Sequence, residues 1–136
     1  MKKSKKKKLL IVFIIIAVIV ISGIFILKNL IDKLDEGLEE LKGIEIENVN
    51  ISSIPDGTYQ GQYTQFPIDV VLSVTVEKGQ MTDIQIEKHT NGKGKDAEKI
   101  TEKVIARQTL QVDIITGATY SSIVILKAIE QALINR

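Results

Sequence analysis

An uncharged apolar segment near the start of the chain most constrains what this sequence can fold into. Residues 9–27 carry no charge, and 16 of these 19 residues are Leu, Ile, Val or Phe. As a helix the segment is about 28 Å long, close to the roughly 30 Å thickness of a bilayer's hydrocarbon core. Its large apolar side chains favour insertion by about 5–10 kcal/mol in total. Because the segment has no polar face, we predict a transmembrane helix rather than a buried core helix.

Charge is distributed unevenly on the two sides of this segment. Residues 1–8 contain six lysines, whereas the chain from Lys28 onward has 12 basic and 17 acidic residues. By the positive-inside rule, residues 1–8 form a cytoplasmic basic segment and the rest of the chain lies outside the cell membrane. A cleaved signal peptide is the alternative, but the apolar run is long for one and no Ala-x-Ala site follows it. We therefore expect a single-pass anchor with an extracytoplasmic C-terminal domain.

The chain contains no cysteine and one histidine. The absence of cysteine excludes disulfides, thiolate catalysis, c-type haem attachment and cysteine-ligated clusters. No grouping of residues suggests a metal site. If the protein is redox-active, its redox centre must therefore be something other than sulfur, haem or iron–sulfur.

A leucine repeat follows the apolar segment. Its spacings of four, four and three residues are typical of an amphipathic helix over residues 28–42. The repeat is either a dimerising stalk or a spacer helix whose apolar stripe lies on the domain or on the bilayer. We expect residues 28–50 to form this helical stalk and linker, and residues 51–136 to form the folded domain. The leucines of the repeat are Leu30, Leu34, Leu38 and Leu41.

Within the folded domain, alternating apolar residues predict three strands. We expect them over residues 58–65, 69–77 and 81–88, the last two joined in a hairpin by Lys78-Gly79. A helix-like apolar stripe follows over residues 97–108.

A short strand and a second helix complete the predicted domain. We expect Asp96 to cap the helix over residues 97–108, and a short strand over residues 112–115 to follow. The final helix, over residues 123–134, is expected to be capped by Ser121 or Ser122. This order predicts an α+β domain, with a small antiparallel sheet packed by two helices.

The segment between the two helices carries the candidate chemistry. Residues 113–119 read Asp-Ile-Ile-Thr-Gly-Ala-Thr and precede Tyr120, Ser121 and Ser122. The small residues Gly117 and Ala118 leave the Thr119 hydroxyl sterically open. The backbone amides of Tyr120 to Ser122 and the helix dipole favour a phosphate at this place. Taken alone, the same seven residues could also be a turn that simply caps a helix.

This segment resembles the flavinylation motif of the FMN-binding domain family, Asp-x-x-(Ser/Thr)-Gly-Ala-(Thr/Ser). The family includes the flavin-bearing subunits of the sodium-pumping NADH:quinone reductase and of the Rnf-type ferredoxin-oxidising complex. The resemblance extends over most of residues 55–134. Its further parts are Asp56-Gly57-Thr58-Tyr59 with Gly61, the hairpin from Val70 to Gln80, the loop His89-x-Asn91-Gly92 and the closing Ile129-Glu130-x-Ala132-Leu133.

The resemblance implies a covalent cofactor. A flavin transferase, with FAD as donor and a divalent metal, would attach FMN through its phosphate to the Thr119 hydroxyl. The resemblance also implies that Asp113 takes part in recognition or activation, and that Thr116, Gly117 and Ala118 fill the hydroxyl-bearing and small positions. A threonine hydroxyl is a poor nucleophile, and no neighbouring residue supplies a base, so the transferase would have to activate it.

A second segment is implied near the flavin ring. The loop with Asn91 and Gly92 resembles the family's loop beside the flavin. His89 has two interpretations: it tunes the flavin, or it is a polar residue that ends a strand. We favour the second of these.

These observations predict a membrane-anchored, extracytoplasmic electron carrier with FMN bound covalently at Thr119, which makes it a phosphoprotein. It would pass electrons between a membrane reductase and an outside acceptor or partner flavoprotein. We expect a carrier rather than a stand-alone enzyme, because no second cofactor or substrate site is evident. The alternatives are a flavin-binding sensor or scaffold with reversible or no FMN, and a flavin reductase. Acidic residues interleave with the lysines at 93–103, so nucleic-acid binding is not expected.

Overall fold

A computed structural model describes residues 2–90 and 94–135, and only the backbone of residues 2–5. The three strands form one antiparallel sheet in the order β1-β2-β3, and two helices follow it, which confirms the predicted α+β class. Short 3-10 helices lie at Ile51–Ser53 and Lys95–Lys99. The principal elements are α1 (Lys2–Lys42), β1 (Gly57–Gln65), β2 (Ile68–Glu77), β3 (Gln80–Thr90), α2 (Ile100–Arg107) and α3 (Thr119–Ile134).

Contacts divide the chain into two units, Met1–Asp35 and Glu36–Arg136. In the first unit, the large apolar side chains between Leu9 and Leu27 are 50% to 67% exposed. Among the described helices, one is long and apolar enough to cross a membrane, and it contains this segment. An apolar helix with no protein covering it is compatible with a single-pass membrane anchor.

The C-terminal end of α1 packs within the second unit. Leu41 is fully buried in its hydrophobic core, and Leu38 packs against that core. The Gln65 side-chain amide donates a hydrogen bond to the Glu40 carboxylate at 2.6 Å. The end of the leucine repeat therefore lies on the domain, as the second interpretation of the repeat expects, so Leu38 and Leu41 are not free to form a dimer seam.

Strand β2 is the central strand of the sheet, and its side chains alternate between the two faces of the sheet. Val70, Leu72, Val74 and Val76 alternate with half-buried residues and are all fully buried. This alternation places one face of β2 against α3, whose apolar side chains complete the core. Lys78 and Gly79 both have positive φ (52° and 73°), as a two-residue hairpin turn between β2 and β3 requires.

Strand β1 crosses α3 at Gly61. A Cβ atom at Gly61 would overlap the Ala128 carbonyl oxygen and would lie 2.8 Å from the Cβ atom of Ala132. The strand and the helix backbone are therefore in direct contact here, which no other residue type permits without moving one of them. This contact fixes the distance between α3 and the sheet.

Helix α2 is shorter than predicted, and Asp96 does not cap it. The 3-10 helix Lys95–Lys99 occupies its first turn, and α2 itself begins at Ile100. The Asp96 carboxylate pairs with the Lys99 ammonium at 3.1 Å instead of accepting backbone N–H groups. Gln108, in the left-handed conformation (φ 53°), ends the helix.

The predicted strand over residues 112–115 is wrong, because these residues are irregular. Their backbone groups are used locally rather than in a ladder. The Val112 N–H donates to the Leu110 carbonyl at 3.0 Å, and the Ile115 N–H donates to the Ser122 hydroxyl at 3.1 Å. The last helix is longer than predicted, since α3 begins at Thr119 rather than at residue 123.

We expect Gly61→Ala to lower the free energy of unfolding by about 1–3 kcal/mol or more, because the new methyl group overpacks the contact with α3. Urea unfolding of the full chain in detergent, followed by circular dichroism, measures the change. Gly43→Ala is the matched control, because its Cβ would meet no atom closer than 3.7 Å. Equal effects of the two substitutions would contradict a close strand–helix contact.

The Asp69 carboxylate provides a pH-dependent contribution to stability. Hydrogen bonds from the Lys88 ammonium (2.5 Å) and from the Thr64 hydroxyl (2.6 Å) hold the pKa of Asp69 below its ordinary value. Because the pKa is lower in the folded than in the unfolded chain, this contribution is complete above the unfolded value of about 3.9. It is lost as the pH falls through the folded pKa.

We therefore expect Asp69→Asn to be less stable than the unsubstituted chain at neutral pH, and the difference to shrink as the pH falls below about 4. Urea midpoints of both chains between neutral and acid pH test this. A difference that stays constant over that range would show that the carboxylate charge is not involved.

Candidate functional site

A tight turn opens the segment that carries the candidate chemistry. The Ile115 carbonyl accepts a hydrogen bond from the Ala118 N–H at 3.0 Å, and Gly117 at the third position of this turn has φ 81°. Turns of this kind require a positive φ at that position. A Cβ atom at Gly117 would have no atom within 4 Å, so the space beside the turn is open.

Thr119 is the first residue of α3 and is half-buried. Within the described chain, no hydrogen bond occupies its hydroxyl group. The amides of Thr119, Tyr120 and Ser121 open the helix and have no acceptor inside it. A hydroxyl group, three backbone donors and the positive end of the helix dipole therefore meet at one place.

The two serines that were expected to cap the last helix do not do so. Both are buried within its first turn, and the residue before the helix is Ala118, which has no capping side chain. The Ser122 hydroxyl donates to the Ala118 carbonyl at 2.9 Å and accepts the Ile115 N–H. The Ser122 N–H also donates to the Ala118 carbonyl. This amide is therefore already engaged, although the sequence predicts it as a phosphate donor. Ser122 instead fixes the turn onto α3.

The two small residues before Thr119 have different structural roles. Gly117 is exposed and leaves open space, as expected for an accessible hydroxyl. Ala118 is 6% exposed and packs into the hydrophobic core, so its small size fits the protein interior rather than an outside partner. Thr116 is exposed in the turn and Tyr120 is half-buried on α3.

Asp113 lies at the start of the segment, where two cations of α2 approach it. Its side chain is 86% exposed, and one of its carboxylate oxygens lies 3.8 Å from a guanidinium nitrogen of Arg107. The Lys103 ammonium donates to the Asp113 backbone carbonyl at 3.2 Å. Arg107 lies outside the residues that the sequence predicts for the site. Its spacing of four residues from Lys103, which puts both on one side of α2, is the signal that could have found it.

His89 lies on a different element, at the end of β3. It pairs with Val70 in the sheet register, which points both side chains to the core face. Its ring is 2% exposed, and Nδ1 lies 3.0 Å from a carboxylate oxygen of Glu98. The predicted loop residues Asn91 and Gly92 lie outside the described residues.

The structure thus brings residues 113–122 together in one turn and helix start. A polar cavity of about 440 Å³ lies elsewhere, beside the β2–β3 turn, and none of the predicted site residues lines it. It is lined by Asn48, Val49, Asn50, Ile51, Ser52, Gly79, Gln80 and Gln108.

The residues of the segment fit the phosphate end of FMN. A phosphate needs several donors and a positive potential, and the first amides of α3 supply both. Lys103 and Arg107 add positive charge beside the same turn. The open space at Gly117 leaves room for a group larger than a side chain. When bound, a flavin supplies reversible one- and two-electron transfer.

Comparison with known proteins identifies related sequences. The model of the FMN-binding domain matches residues 65–134, slightly more than half of the chain. NADH:acrylate oxidoreductase of Vibrio harveyi is 29% identical over 107 residues. This match covers 76% of the present chain but only 11% of that protein, so the chain spans a small part of the relative's length. No solved structure matches the chain.

We expect Ser122→Ala to lower the free energy of unfolding by about 0.5–1.5 kcal/mol, because it leaves the partly buried Ile115 N–H without its acceptor. Hydrogen exchange of the Ile115 amide in the full chain should become faster. Ser121→Ala is the matched control, since Ser121 is equally buried and takes no part in fixing the turn. Unchanged exchange in Ser122→Ala would show that the turn does not depend on this hydroxyl.

Proposed function

The chain belongs to the FMN-binding domain family and FMN is its cofactor, and from this premise we propose that FMN is attached covalently to Thr119. We further propose that the protein carries electrons on the outer side of the cell membrane. The observation that supports the first proposal most is the position of the Thr119 hydroxyl. It is half-buried at the start of α3, beside open space, and no described hydrogen bond occupies it.

The attachment is a phosphoryl transfer. A flavin transferase supplies FAD, a divalent metal and a base. The bond between Thr119 Oγ1 and the phosphorus of the FMN half forms while the pyrophosphate bond breaks. AMP leaves, and the hydroxyl proton passes to the transferase's base. The product is a phosphodiester with one negative charge, next to the amides of Thr119, Tyr120 and Ser121.

The residues around Thr119 have supporting roles in this proposal. Gly117 leaves the hydroxyl accessible to a foreign active site. Ser122 holds the turn against α3, so the hydroxyl is presented from a fixed backbone. Asp113, exposed at the start of the segment, is available for recognition by the transferase.

A covalent bond suits the proposed location. In this proposal the exposed apolar helix in Met1–Asp35 is the membrane anchor, and the basic residues before it favour an orientation with the domain outside the cytoplasm. A dissociable flavin released there would be diluted and lost. A flavin that is part of the polypeptide stays with the anchored protein.

We infer a carrier rather than a stand-alone enzyme. The matched relative is named for an oxidoreductase activity, which is consistent with a redox role for the shared region. The chain corresponds to only 11% of that protein, so the shared region is a small part of the relative. A membrane reductase and an outside acceptor are the partners that a carrier of this kind requires.

Mass spectrometry of the full chain co-produced with a flavin transferase tests the attachment. We expect the mass to increase by one FMN less one water, and Thr119→Ala to lose this increase completely. Thr119→Ser should retain it, because it keeps the hydroxyl. Thr82→Ala is the matched control, since it removes an exposed threonine hydroxyl of β3, outside the motif, and should leave the modification intact. A flavin that persists in Thr119→Ala would overturn the assignment.

Electron transfer is tested separately from attachment. Flavinylated chain in native membranes should be reduced by a membrane donor and reoxidised by an added acceptor, followed by flavin absorbance. A covalent flavin that stays oxidised under these conditions would favour a sensor or scaffold over a carrier.

A further inference from the structure

Strand β1 is an edge of the sheet that lacks the protection such strands usually have. Its nine residues pair with β2 without any register shift. The strand contains no charged residue and no proline. Hydrogen bonds outside the regular elements give its backbone no second partner within the described residues. Soluble proteins usually block an open edge with charge, proline, a bulge or a covering element.

The opposite edge, β3, shows what a protected edge looks like in the same protein. Its pairing with β2 has two register shifts, and it carries Asp83, Glu87 and Lys88. The Gln108 side chain also bonds both backbone groups of Met81, at 2.7 Å to the N–H and 2.8 Å to the carbonyl. The two edges therefore differ in charge, in the regularity of their pairing and in the presence of a covering side chain, three features that discourage further strand pairing.

The sequence of β1 is a palindrome. Residues 58–64 read Thr-Tyr-Gln-Gly-Gln-Tyr-Thr, with Gly61 at the centre. When such a strand pairs antiparallel with a second copy about Gly61, every side chain faces an identical one. Thr58 then lies opposite Thr64, Tyr59 opposite Tyr63, and Gln60 opposite Gln62 of the other copy.

We propose that β1 is the dimer interface of this protein, and that its partner is β1 of a second copy. A two-fold axis through Gly61 satisfies the rule that a symmetric dimer uses the same patch on both subunits. Each identical pair is also chemically compatible. The Gln60 amide donates to Glu87 in its own sheet, which leaves its second hydrogen and its carbonyl oxygen for Gln62 of the other copy. The Thr64 hydroxyl donates to Asp69 and can still accept from Thr58 of the other copy, and tyrosine rings stack. Because the strand is uncharged, no like charges oppose the pairing.

The two faces of the strand fit this arrangement. Thr58, Gln60, Gln62 and Thr64 are exposed on the face away from α3. Tyr59 and Tyr63 are only partly buried and pack against the core on the α3 side. Pairing joins the two three-stranded sheets into one of six strands and covers the remaining exposed part of both rings.

The stalk does not provide an equivalent interface within the second unit. Leu38 and Leu41 of the leucine repeat contact the domain core and are used there. Anchoring of both copies in one membrane raises their local concentration and so favours contact between their outer domains.

Cysteine cross-linking tests the interface and its register in the full chain, reconstituted in liposomes, because the natural sequence has no cysteine. A mixture of Gln60→Cys and Gln62→Cys chains should form a disulfide-linked dimer under mild oxidation. Either variant alone should cross-link at least fivefold less, because residue 60 does not face residue 60. Gln85→Cys, exposed on β3, is the control and should not cross-link with either. Cross-linking that is equal in all combinations would overturn the proposal.

Charge substitution gives a second, independent measurement. The double variant Gln60→Lys, Gln62→Lys places lysines opposite lysines and should weaken dimerisation at least tenfold in detergent, measured by light scattering or native mass spectrometry. Gln85→Lys should leave it unchanged. An unsubstituted chain that is monomeric in both detergent and liposomes, or a folded double variant that still dimerises, would show that β1 has another partner or none.

Discussion

The packing of α3 against the sheet is the contact on which the rest of the domain depends. It is closest at Gly61, where a strand and a helix backbone touch, and it continues through the buried valines of β2. Because α3 is held this closely along its length, its first residue has a fixed position at the edge of the core. The turn before it is then bound to α3 by Ser122. The location of Thr119 is thus a consequence of core packing rather than of the loop alone.

The same contact explains why an apparently polar strand belongs to the fold. Strand β1 has few large apolar residues, and only Gly61 within it is buried. Its place in the sheet comes from its ladder with β2 and from the close approach of α3, with the two tyrosines covering the margin of the core. A strand of this composition contributes little hydrophobic area of its own.

The sequence predicted the regular elements where periodicity was strong. The hairpin of β2 and β3 follows from alternation at Val70 to Val76 and at Ile84 and Ile86, the first strand follows from Tyr59 and Tyr63 around Gly61, and the structure confirms all three strands. The sequence did not predict the details near α3, because these depend on which of several hydrogen-bonding or charged partners a side chain takes in the folded chain. A serine near a helix start has several ways to bond, and Ser122 binds a carbonyl one turn back instead of capping. Arg107 was missed for a similar reason, since its approach to Asp113 exists only in the folded chain.

The position of Thr119 on the helix also determines how far an attached group can move. Its backbone is fixed in the first turn of α3, and a β-branched side chain has little freedom about its first torsion. In a phosphodiester at this oxygen, the freely rotating bonds begin only beyond Cβ. Under the proposed attachment, the flavin ring would be limited to a small volume around the start of the helix, which corresponds to an effective concentration of about millimolar or more for any neighbouring surface. Even a weak pocket would then be filled most of the time, and the domain would not need the large, tight cavity that a freely dissociating cofactor demands.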